Sequence, residues 1–226
     1  MFEKIIDRFL CFIYTLFLTI LVLDHIDANY LSNYELYRIV NNNFIEGIYC
    51  SPGVDVSFIP LIKRAFESTG PLYDMFIEDG GIVYYTTDGE DLNNSILDKD
   101  SNVTVGVFKS KKHYIDKEHQ LRIYLLSDYE YTLSETVVHE MGHYLDYKLG
   151  RISGSNSFET LYEQYKGIDL NVYSKKENYT YITSNPTEFF AERYADYILH
   201  SELLREVEPA LYDFYEMCIL EVFVNE

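Results

Sequence analysis

Residues 132–150 read TLSETVVHEMGHYLDYKLG, the stretch around which the rest of the chain is organised. His139 and His143 stand four residues apart. On a helix, both imidazoles therefore leave the same face, one turn above the other. Glu140 follows the first His and points around the same side. Two imidazoles so spaced can grip one Zn²⁺, and a neighbouring carboxylate can take a proton from water at the open metal position. The helix has its own signals. Thr132 with Glu135 three residues later reads as a capping box, Val137, Val138, Met141 and Leu145 supply apolar contacts, and Gly150 is a natural stop. The plainer alternative is a pair of surface histidines on an ordinary amphipathic helix.

The composition fits a folded protein with a proper core. The chain has 226 residues, 47% of them hydrophobic and 24% charged. Its formal net charge of −19 argues against nucleic acid, because phosphate binding needs a basic face. The charge suits neutral or cationic partners, or serves solubility alone. Cys11, Cys50 and Cys218 form no CxxC pair, so a thiolate zinc site is not expected. Cys50 and Cys218 could pair in an oxidising compartment, but two buried free thiols are the simpler expectation.

Residues 9–23, FLCFIYTLFLTILVL, contain no charge and follow Lys4 and Arg8. A run of that length is short for a membrane span, which takes about 20 residues, and suits the apolar part of a signal peptide. The expectation is a signal peptide over residues 1–28 cleaved near Ala28, which makes the protein secreted. The alternatives are an uncleaved membrane anchor and a buried core helix. Residues 29–226 then form one catalytic domain, expected to be monomeric. Residues 29–80 look helical and irregular by turns, with apolar residues at helical spacing over 58–66 and 72–77. Strands are expected at 82–86, at 103–108 (with Gly106 inside it) and at 120–126, and a polar loop at 88–100. Further helices are expected at 158–165, from Asn185-Pro186 to about Leu199, and over 209–224. Three strands with a mainly helical C-terminal half make the expected class α+β.

A catalytic zinc takes three protein ligands and leaves a position for water. The extended pattern HExxHxxGxxH is excluded, because Asp146 and Leu149 stand where its Gly and His would be. The third ligand must then come from elsewhere. Glu188 lies in the first turn of the helix begun by Asn185 and Pro186, where it could reach the metal or merely complete a capping box. Glu192, one turn on, could hydrogen-bond a ligating imidazole, and Asp146 is a second candidate for that supporting role. His200 is twelve residues beyond Glu188, about 18 Å along a helix axis, so the two cannot serve one metal.

HEMGH, with Tyr181 seven residues before the Glu that opens EFFAE, resembles the catalytic domain of anthrax lethal factor and its relatives, the secreted bacterial Pro-Pro endopeptidases. The resemblance covers roughly residues 71–198 and is sharp at HEMGH and over 181–195. It implies a zincin-like metalloprotease fold, a small twisted mixed β-sheet over the HExxH helix, with one Zn²⁺ per chain. It implies Glu188 as third ligand and Tyr181 as donor to the oxyanion of the tetrahedral intermediate. A polypeptide substrate would add a strand to the sheet edge, by chain order at Val103, Thr104, Val105, Gly106, Val107 and Phe108. The large upstream domains of lethal factor have no counterpart here, and no residue establishes a proline-specific pocket. The expectation is a secreted, toxin-related zinc metalloendopeptidase. The alternatives are a catalytically silent zinc-binding module and a membrane-anchored interaction protein.

Overall fold

The computed structural model describes residues 35–41, 44–50, 53–86, 106–112, 119–126, 132–168 and 182–224. The expected signal segment 1–28, the loop 88–100 and Tyr181 lie outside them. Among the described residues, five strands form one mixed sheet: β1 (Glu35–Asn41), β2 (Phe44–Cys50), β3 (Ile82–Thr86), β4 (Gly106–Lys112) and β5 (His119–Leu126). Their order is β1-β2-β3-β5-β4. The β1/β2 and β4/β5 pairs are antiparallel, whereas β2/β3 and β3/β5 are parallel. The sheet and the helices below make the chain α+β.

The hairpin of β1 and β2 corrects the expectation of helix and irregular chain in that region. Only residues 42 and 43 separate its strands, and Asn41 pairs with Phe44. Leu36, Tyr37, Ile39 and Val40 fall at spacings that fit one face of a helix as well as a strand, and no Asn-Gly or Asp-Gly announces the turn. The third expected strand, 120–126, is β5 almost to the residue. The second is shifted: β4 starts at Gly106 and runs on to Lys112, and residues 103–105 lie outside the described set.

One face of the sheet carries the core. Ile48 pairs with Val83, and Cys50 with Tyr85. Val83 pairs in turn with Ile123, and Tyr85 with Leu125. Registered partners share a face, so these six buried side chains form two rows across the strands. Gly106 and Phe108, opposite Leu125 and Ile123, extend both rows to the β4 edge.

Between β2 and β3 run α1 (Ile59–Ser68) and α2 (Pro71–Glu78), each with a proline in its first turn. After β5 comes α3 (Leu133–Lys148), which carries HEMGH and touches α1, α2, β4 and β5. Val137, Val138, Met141, Tyr144 and Leu145 are buried along it. Burying a side chain of this size is worth about 1.5–3 kcal/mol, which fixes how the helix is turned. The Tyr144 hydroxyl and Lys148 ammonium both donate to Asp79 at the end of α2, at 2.7 and 3.1 Å.

The ends of α3 differ from the expectation at one side and match it at the other. Thr132 is the N-cap residue, but its backbone is already helical and its side chain makes no cap hydrogen bond. Instead the Thr136 hydroxyl donates to the Thr132 carbonyl at 3.0 Å. At the C-terminus Gly150 has φ +66°, the Gly150 N–H donates to the Tyr147 carbonyl, and the Arg151 N–H donates to that of Asp146. That double bond is a Schellman stop.

The rest is helical: α4 (Asn156–Tyr165), α5 (Pro186–Leu199), α6 (Ser201–Val207) and α7 (Pro209–Val224). Only α6 was not expected. Phe158, Phe190, Phe214 and Tyr215 join α4, α5 and α7 through ring contacts of 5.2–6.4 Å. The Tyr215 hydroxyl donates to the Phe190 carbonyl at 2.7 Å. Cys50 and Cys218 are both buried, and burial pushes the Cys218 thiol up to about 12. Among the described residues no helix is long and apolar enough to cross a membrane.

Candidate metal centre

Helix α5 crosses α3 beside the two histidines. Asn185 is extended, and its side chain accepts from the Glu188 N–H at 2.9 Å, while Pro186 takes the first helical position. This cap starts α5 so that Glu188 stands in its first turn. The carboxylate of Glu188 does not turn back to complete a capping box. Its Oε2 stands 3.3 Å from His139 Nε2 and 3.5 Å from His143 Nε2. Ligand atoms of the three side chains lie within 4.8 Å of one another. Two ligand atoms on one tetrahedral zinc, at ordinary bond lengths, stand about 3.3 Å apart. The donor set and its spacing therefore fit that metal.

Glu192, one turn later, has its Oε2 3.0 Å from His139 Nδ1. A carboxylate on the far ring nitrogen fixes the tautomer and leaves Nε2 free to face Glu188 and His143. The rings of His139 and His143 are 4.8 Å apart and nearly perpendicular. Burial opposes a charge on His139, but Glu188, Glu192 and Glu140 outweigh it and lift its pKa well above 6.5. Burial likewise opposes ionisation of Glu188, and hydrogen bonds from both histidines overcome it, holding that carboxyl far below the usual range.

Glu140 is 4% exposed, and its Oε2 makes no hydrogen bond. Burial raises its pKa against the opposing pull of the two histidines. Strand β4 passes directly over it, and the nearby Phe108 backbone favours its ionised form. The close passage depends on Gly106: a Cβ there would lie 2.4 Å from Thr136 Cγ2 and 2.7 Å from Glu140 Oε1. A lone glycine inside a strand signals such an approach, and the sequence held that signal.

Two residues sit away from the centre. Asp146 does not support an imidazole, which corrects that expectation. Its carboxylate accepts from the Ser153 N–H and hydroxyl at 2.8 and 2.9 Å, because the Schellman turn folds the chain back over the end of α3. His200 ends α5 and is not among the clustered ligand atoms. Tyr181 itself lies outside the described residues; next to it Ile182 is buried, and the Thr183 carbonyl accepts from the Tyr162 hydroxyl at 2.6 Å.

The family model of the anthrax toxin lethal factor N- and C-terminal domain matches residues 84–218, more than half of the chain. The chain belongs to that family. Its match to lethal factor takes in β4, β5 and the helices from α3 through most of α7, hence every residue of the His–His–Glu cluster. A comparison with curated proteins returns no match. Membership in the lethal factor family makes the protein toxin-related, and the cluster gives it three residues able to hold a metal.

Proposed function

We propose that this chain is a secreted zinc metalloendopeptidase with a zincin-like domain. The observation that carries the reading is the convergence of His139, His143 and Glu188 beside the buried, half-partnered carboxylate of Glu140. A purely structural metal site has no use for a base there.

Zinc held by these three residues would supply Lewis acidity and lower the pKa of a bound water to about 7. Glu140 is placed to act as the base towards an attacking water and would return that proton to the leaving amine. Its raised pKa suits both halves of that transfer. Glu192 keeps His139 turned with Nε2 inward. Tyr181, by the resemblance to lethal factor, donates to the oxyanion. Among the described residues β4 pairs with β5 alone and forms the edge of the sheet, and it lies against Glu140 at Gly106. A peptide added along that edge would pass the base in extended form, the geometry in which a scissile carbonyl is presented.

The test is mass-spectrometric mapping of cleavage in a peptide library, with and without a chelator, on wild type and Glu140→Ala. We expect chelator-sensitive cleavage by wild type, and a Glu140→Ala protein that keeps zinc but turns over at least about 10²-fold more slowly. Full activity in Glu140→Ala would remove the base from the mechanism.

A further inference from the structure

Gly142, inside HEMGH, is buried where α3 and α5 cross. A Cβ at this position would lie 2.8 Å from Ala191 Cα, 2.9 Å from Ala191 O and 3.1 Å from Tyr194 Cδ1. The two closest atoms are backbone, which cannot rotate aside. Restoring ordinary contact would need the two helices to part by about half an ångström or more. Ala191 lies between Glu188 and Glu192, the residues that reach the histidines. The outer side of α5 is fastened by the Tyr215–Phe190 bond and by Arg193 to Glu208 at 3.0 Å. A shift at the crossing therefore moves the part of α5 that carries Glu188.

From this we infer that Gly142 is a positioning residue: by letting the two helix backbones touch, it sets whether Glu188 reaches the metal held by His139 and His143. The inference rests on reading the His–His–Glu cluster as a zinc site. Metal–ligand distances tolerate changes of about 0.2 Å, less than the displacement a methyl group would impose. A glycine that served packing alone would change stability and leave zinc affinity where it was.

The experiment is a double-mutant cycle on zinc affinity, read by competition with a chromophoric chelator at fixed pH, with the apo melt of each variant as the gauge of folding. The four proteins are wild type, Gly142→Ala, Glu188→Ala and the double variant. Gly142→Ala should bind zinc about 10- to 100-fold more weakly, the range found when a ligand loses its support. The double variant should bind no more weakly than Glu188→Ala, because the glycine acts through that carboxylate. Wild-type affinity in Gly142→Ala, or losses that multiply in the double variant, would overturn the inference. Absence of zinc binding by the wild type would instead overturn the reading of the cluster, and the inference with it. If Gly142→Ala shows no cooperative melt, Ala191→Ser, a smaller addition at the same buried crossing, carries the same cycle and the same two outcomes.

Discussion

Helix α5 carries two charged clusters, and they are balanced in opposite ways. On the side toward α7, Arg193 is fully buried with Asp196 at 2.6 Å and Glu208 at 3.0 Å, and its guanidinium lies 5.0 Å from the Phe189 ring centre. There the chain supplies its own cation. On the side toward α3, three carboxylates, Glu140, Glu188 and Glu192, surround two histidines. With neutral imidazoles that arrangement gathers three carboxylates in a poorly solvated place, and protons or a bound cation offset their charge. One helix thus shows what a structural charge cluster looks like beside one fitted for a metal.

The comparison can be broken most severely at Arg193. Arg193→Met should cost about 3–5 kcal/mol in chemical denaturation, because Asp196 and Glu208 stay buried without their cation. Zinc affinity of the folded fraction should hold. A variant as stable as wild type would mean that the two acids find other partners.

Glu188→Ala should do the reverse. It should weaken zinc by more than about 100-fold, beyond the usual cost of losing an outer partner, and change apo stability less than Arg193→Met does. An apo protein as damaged as that of Arg193→Met would erase the distinction between the clusters. Glu192→Ala should weaken zinc by about 10- to 100-fold, its carboxylate acting through His139 rather than on the metal. An undiminished affinity would place the tautomer of His139 under some other control.

The smallest effect is in the protons. Because the pKa of His139 is lifted above 6.5, its charge stabilises the apo fold fully below pH 6.5, and that stability is lost as pH rises through the folded value. Glu188 is depressed from 4.5, so its contribution is present above that pH and lost as pH falls. Apo stability from this pair is therefore greatest between those limits. Zinc needs His139 neutral, so binding at pH 7 should release about one proton, measurable by calorimetry in buffers of different ionisation enthalpy. Release of none would mean a ring already neutral, and a site less acidic than its three carboxylates suggest.

The legible parts of the molecule were those whose signal is local. HEMGH on a helix, the Asn185-Pro186 start and the β-branched, aromatic IVYYT of β3 each state their structure within a few residues. The obscured parts depend on partners far along the chain. Lys109, Lys111 and Lys112 hide the second half of β4 because an edge strand tolerates lysines that a central strand would not. Asp146 could be assigned to an imidazole only so long as Ser153 was not known to fold back on it. Arg193 and Glu208 are fifteen residues apart and gave no sign of meeting in the core. Glu188 could be named from the chain, but its choice between cap and cluster required the α3–α5 crossing.

Two of the three cysteines lie in the described core. Cys50 ends β2 with its side chain on the core face, and Cys218 lies in α7, each a small filler of the core. At neutral pH the Cys218 thiol keeps its proton, so it is a poor nucleophile and a poor rival for zinc. Cys218 therefore serves α7 by filling space in the core.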